Sequence, residues 1–177
     1  MTDSGNGFRQ RRFFFKASIV SVLTIFFAVL GYAEEQNAVS HVMNGDKFNV
    51  SSGDTVRLLC VRSPDTARYL RKSVDPMAKQ AIAYTRKEFE DQEIKLEFDS
   101  QKNDPLGSLL AYVYRKKDNL FLNAELLKSG MAQLDTTYPC PQHLEEFKKL
   151  EQEAKAKKIG IWNPKTEVSH DQAEKKS

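Results

Sequence analysis

The sequence predicts a small α+β domain of five strands and about three helices, preceded by an N-terminal hydrophobic helix. Three observations carry this. Short β-prone runs separated by polar turns fill residues 39–61. Apolar residues then recur at helical spacing behind an Asp75-Pro76 start. An uncharged apolar stretch at 17–33 stands apart near the N-terminus. A hydrophobic content of 40% with 29% charged residues excludes a chain disordered throughout. A length of 177 residues allows one domain of ordinary size with appendages.

Taken in order, residues 1–16 are a basic N-terminal region, 17–33 a signal peptide or transmembrane anchor, and 34–38 a polar spacer. Arg9, Arg11, Arg12 and Lys16 keep the N-terminus on the cytoplasmic side and send the rest of the chain across the membrane. Arg11-Arg12 followed by phenylalanines also resembles a twin-arginine export signal, although paired arginines end many ordinary signal n-regions. Gly31 and Ala33 are small enough for a cleavage site, so a secreted form and an anchored form both remain open.

The strands are expected at Val39–Met43, Lys47–Val50 and Thr55–Val61, with Ser51–Asp54 as a turn. Asp75 caps a helix whose apolar positions are Ala78, Ala81, Ile82, Thr85 and Phe89. Glu93–Asp99 alternates strictly, with Ile94, Leu96 and Phe98 on one face of a fourth strand, and Leu109–Tyr114 is the fifth. Tyr112 and Tyr114 are read as core. A short helix, Asn123–Ser129, stops at Gly130, and a longer one spans Pro141–Ile159 to Gly160. Domain residues are thus 39–163, and 164–177 reads as a disordered polar tail.

Charge limits the function classes. Residues 1–33 hold four of the 27 basic residues and one of the 24 acidic ones, which leaves 34–177 with 23 of each. A formally neutral domain has no net attraction to polyphosphate, so nucleic-acid binding requires a local patch. No Cys/His spacing suits zinc, and His41, His143 and His170 form no catalytic constellation. Cys60 and Cys140 would meet an oxidising compartment after export; sequence leaves open whether they pair.

Six segments, in order and at matching separations, resemble the staphylococcal nuclease (thermonuclease) family. They are Asn44-Gly45-Asp46-Lys47; Arg57-Leu58-Leu59-Cys60-Val61-Arg62-Ser63-Pro64-Asp65; Pro76-Met77-Ala78-Lys79-Gln80-Ala81; Asp104-Pro105-Leu106-Gly107 running into Leu109–Tyr114; Asn123-Ala124-Glu125-Leu126 through Gly130-Met131-Ala132; and Glu151 through Gly160-Ile161-Trp162. The resemblance covers about Val39 to Trp162. It selects a five-stranded antiparallel Greek-key barrel with helices, the OB fold, from the α+β possibilities.

The resemblance implies hydrolysis of DNA and RNA phosphodiesters with one calcium ion. It places the first metal aspartate on Asp46, the second on Arg62, the base or water-orienting glutamate on Asp65, and the two phosphate-gripping arginines on Arg57 and Ser108. Three of these positions have changed chemistry. Calcium is held by six to eight oxygens, and a cation at 62 both removes a ligand and repels the ion. At ~4 Å, a pair of unit charges is worth about 4 kcal/mol at an effective dielectric of 20, and a divalent ion doubles it. Arg62 would neutralise Asp46 or Asp65, or turn to solvent. Ser108 removes a donor to developing charge, a class of loss worth on the order of 10²–10³ in rate. Asp65 is one methylene shorter than glutamate. Asp104 is expected in the turn before Pro105.

Arg68, Arg71 and Lys72 add a basic loop that is either a solvated charge run or, with Arg57 and Arg62, a local patch for nucleic acid. The expectation is therefore an exported or membrane-anchored nuclease-like domain with a degenerate metal site and weak or no nuclease activity, binding nucleic acid or an envelope protein. An active metal-dependent phosphodiesterase and a structural envelope assembly module are the alternatives.

Overall fold

The computed structural model describes residues 37–65 and 75–164. The chain divides into two units, 1–35 and 36–177, and the described residues all belong to the second. The apolar stretch 17–33, the basic loop residues Arg68, Arg71 and Lys72, and the tail beyond Pro164 lie outside them. Among the described residues no helix is long and apolar enough to cross a membrane.

A tight turn at Gly45-Asp46 joins β1 (Val39–Asn44) to β2 (Lys47–Val50), and a second turn leads to β3 (Thr55–Leu58). Phe48, Val50, Val56 and Leu58 point inward with half-buried residues between them, as a strand packed on one face requires. The expected continuous strand Thr55–Val61 is broken. Leu59-Cys60 forms a turn with Cys60 at φ 61°. Val61–Arg62 is then a separate β4, paired with β7 (Gln133–Leu134), a strand that sequence did not signal. Leu58, Leu59, Cys60 and Val61 are all buried, so no polar residue marks the break.

Helix α1 (Pro76–Phe89) begins as expected, with Asp75 accepting the Met77 N–H at 2.7 Å. It is followed by β5 (Ile94–Glu97), β6 (Leu109–Arg115), α2 (Leu122–Lys128) and α3 (Leu144–Lys157), closing with a 3₁₀ turn at Gly160–Trp162. Helix α3 is shorter than Pro141–Ile159: Lys158, at φ 53°, makes the left-handed stop assigned to Gly160.

The main sheet runs β1-β2-β3-β6-β5. Its β3–β6 pair is parallel and the other pairs antiparallel, so the barrel is not wholly antiparallel. Helix α1 and β5 form the long crossover that a parallel pair needs. The two edges meet where Ala38 bridges Glu93 and the Ile94 N–H reaches Asn37 O at 2.8 Å. This curls the sheet into the OB-like α+β arrangement. Tyr112 is fully buried and Tyr114 packs beside the core, as expected of both.

Candidate functional site

Positioning starts at Gly45. A Cβ there would stand 2.6 Å from Ala81 Cβ and 3.0 Å from Ser63 Cβ, so only glycine lets the β1–β2 turn lie against α1 and the segment after β4. Thr85 fastens that turn by donating its hydroxyl to Gly45 O at 2.8 Å. Asp46 is thereby delivered, buried, beside Ser63, whose hydroxyl donates to Asp46 Oδ1 at 2.7 Å. Burial raises the Asp46 carboxyl above its usual range, against the opposing pull of Ser63 and Arg57.

Asp46 opens onto a cleft of about 600 Å³ whose lining includes Lys47, Arg57, Arg62, Asp65, Asp75 and Asp104. Of the residues chosen from sequence, Asp46, Arg57, Arg62 and Asp65 therefore come together. Ser108 does not line the cleft. It is buried in the turn closed by Asp104, whose Oδ1 accepts the N–H groups of Ser108 at 2.8 Å and Leu106 at 2.9 Å. Burial alone would raise the Asp104 carboxyl, but those two N–H groups together with the Ser108 side chain and the charge of Lys47 outweigh it and the net direction is downward. Asp104 thus has the turn role expected of it.

Arg62 corrects the sequence reading. Its guanidinium pairs with Asp135, through Nε at 2.8 Å and Nη2 at 2.7 Å, both on Oδ2. The same oxygen lies 3.4 Å from Arg57 Nη2, and Arg57 Nη1 is 4.0 Å from Asp104 Oδ2. Arg57 also lies over the Tyr138 ring, 5.7 Å from its centre. The other carboxylate oxygen, Oδ1, takes the Thr137 N–H at 3.0 Å and the Thr137 hydroxyl. Burial would raise the Asp135 carboxyl; the Thr137 donors and Arg62 prevail and hold it below the usual range.

Sequence reasoning missed Asp135 and Tyr138. Two features bring them to the site: the Asp135 N–H donates to Cys60 O at 3.0 Å, and a disulfide joins Cys60 to Cys140. The only available signal for Asp135 was Asp135-Thr136-Thr137, a pattern that favours a local side-chain-to-backbone turn. Chemically, the arrangement is an anion-facing wall, Lys47, Arg57 and Arg62, opposed by carboxylates in the same cleft.

Residues 55–164 match the family model described as "Staphylococcal nuclease homologue". The chain is similar to "SPbeta prophage-derived endonuclease YokF" of Bacillus subtilis (strain 168), at 34% identity over 130 residues, 71% of this chain and 43% of that protein. It is also similar to "Endonuclease YncB" of the same organism, at 33% over 136 residues, 76% of this chain and 60% of that protein. "Thermonuclease" of Staphylococcus hyicus is 30% identical over 140 residues, 77% of this chain and 81% of that protein. The chain thus spans about half the length of the two Bacillus relatives.

Proposed function

From the premise that this chain belongs to the staphylococcal nuclease family, we propose that it is an exported or membrane-anchored domain that binds nucleic acid in the cleft and cleaves phosphodiesters weakly or not at all. The observation that carries this is Arg62. It occupies the position where the family resemblance places a metal carboxylate, and its guanidinium is fixed on Asp135 rather than on a cleft carboxylate.

Support for a weakened calcium site comes from how the acidic side chains in and beside the cleft are engaged. Asp46 Oδ1 is engaged by Ser63, Asp104 Oδ1 by two backbone N–H groups, and Asp135 by Thr137 and two arginines. Among the described residues no three acidic, histidine or cysteine side chains converge to hold a metal. Calcium would need six to eight oxygens there. The residues that remain suited to a phosphodiester are cationic: Arg57, Arg62 and Lys47 in the cleft, with Arg68, Arg71 and Lys72 of the same basic patch in the sequence. Export is supported by the basic-then-apolar N-terminus and by the Cys60–Cys140 pairing, which persists in oxidising compartments. A second reading, a working metal-dependent phosphodiesterase, draws on the word endonuclease in the names of two relatives.

Incubating the purified protein with single-stranded DNA or RNA, with calcium and with chelator, separates the two readings. No calcium-dependent cleavage is expected. Cleavage abolished both by chelator and by Asp46→Ala would sink the proposal. Combining Arg62→Asp with Asp65→Glu, which exchanges a cation for a carboxylate in the cleft, is expected to raise calcium affinity, measured by calorimetry.

A further inference from the structure

We propose that Asp135 is a positioning residue, a built-in counter-ion that holds Arg57 and Arg62 on the cleft wall and keeps the affinity of the cleft for anionic strands low. This rests on the nucleic-acid-binding reading above. One carboxylate oxygen, Oδ2, stands within 2.7–3.4 Å of three guanidinium nitrogens from the two arginines. That is the set of donors a phosphate oxygen would take. The carboxylate is not a loose surface group. Its other oxygen is held by Thr137 and its own N–H by Cys60 O, beside the disulfide that anchors the segment at Cys140.

Both arginines line the cleft and Asp135 does not, so the counter-ion acts from beside the binding surface. The Arg62 side chain is 48% exposed while that of Asp135 is 13% exposed, so a strand can reach the guanidinium but cannot avoid the carboxylate's field. Removing the Asp135 charge has two opposed effects. It frees rotamers of Arg62, which weakens binding, and it removes a full negative charge close to the ligand, which strengthens it. The second prevails. Arg62 is already half in solvent, and Arg57 keeps Asp104 and the Tyr138 ring as supports.

The test is binding of a short fluorescein-labelled oligothymidylate to the full chain, in chelator, as a function of salt. Asp135→Asn is expected to bind about fivefold or more tightly at low salt. Its log Kd against log salt should steepen by about 0.7 for each cation released to the strand. Asp135→Glu, which keeps the charge, should behave as wild type. The gain from Asp135→Asn should shrink in the Arg62→Gln background, because the two residues share one contact. If Asp135→Asn loses the native melting transition, the Arg62→Gln/Asp135→Asn pair takes its place and must bind more tightly than Arg62→Gln alone.

Unchanged affinity and salt slope in Asp135→Asn, while Arg57→Gln weakens the wild type, would overturn the counter-ion role and leave the binding reading standing. No binding by wild type or Asp135→Asn, with no effect of Arg57→Gln, would remove the binding reading and this inference with it. Binding gained only on Asp135→Asn would support the counter-ion role in its strongest form.

Discussion

Asn123 shows how much of this fold rests on single side chains. It is fully buried at the start of α2; its Oδ1 accepts the Val113 N–H at 3.0 Å, and its Nδ2 donates to Leu59 O at 3.0 Å and Ala111 O at 3.4 Å. It therefore ties α2 to β6 and to the turn that sends β4 toward the cleft. Asn123→Ala would strand the buried Val113 N–H and the Leu59 carbonyl, each costing on the order of 1–3 kcal/mol when left unmade, while Ala111 O keeps the Leu59 N–H at 2.9 Å. A loss of roughly 2–4 kcal/mol in urea unfolding is expected, with the slope of the transition unchanged. A loss under ~1 kcal/mol would mean that water replaces the amide. Sequence placed Asn123 on a short helix but could not show these bonds, because their partners come from two separate segments, β6 and the Leu59-Cys60 turn. The same holds for Arg62. A cation in an apolar strand signals a need for a counter-charge, but the carboxylate that meets it lies 73 residues away and shares no periodic pattern with it.

At the scale of elements, the segment from β7 to α3 carries the surprise. Strands and helices with one clean apolar face were legible: the alternation in β5, the Asp75 cap of α1 and the Gly130 stop of α2 all appear in the fold. The two-residue strands β4 and β7 were not, since a pair that short has no period to read. The Cys60–Cys140 disulfide, which closes 80 residues of chain, ties the turn before β4 to the segment after β7. Loop-closure entropy alone assigns such a link about 4.5 kcal/mol. The expected outcome is that dithiothreitol lowers the urea midpoint of the wild type but not that of a Cys60→Ser/Cys140→Ser variant, which unfolds at the lower midpoint throughout. Limited proteolysis should then cut residues 135–143 first, because this connection loses its covalent anchor while the five-stranded sheet keeps its ladder. Equal midpoints for oxidised and reduced protein would show that β4–β7 pairing and α3 packing hold the segment unaided.

Across the whole molecule, charge balance governs behaviour in acid. Among the described residues four carboxylates sit below their usual range. Arg115 holds Glu88 and Asp118 there by direct hydrogen bonds, at 2.8 Å to Glu88 Oε2 and 2.8 and 2.6 Å to the two Asp118 oxygens. For Asp104 and Asp135, burial is outweighed by backbone and hydroxyl donors together with Lys47 and Arg62 respectively. Asp46 alone among the described carboxylates is raised, by burial. The signs oppose. A lowered group takes up its proton more readily in the unfolded chain, so its contribution is complete above the ordinary values of 3.8 and 4.5 and is lost as pH falls through the folded value. Asp46 works the other way, costing stability as pH rises through and beyond its ordinary value. Four groups against one make the acid limb steep: unfolding free energy should climb with pH from about 2 to about 5 and level off above that. Arg115→Met removes the partner of two of the four at once; the Asp118 side chain is 46% exposed against 24% for Glu88, so solvent screens the Asp118 pair the more. Urea midpoints measured across that range should therefore converge for wild type and Arg115→Met at the acid end and separate as pH rises. A constant separation at every pH would assign the role of Arg115 to its packing over the Phe89 ring, 5.6 Å from the ring centre, instead of to its charge.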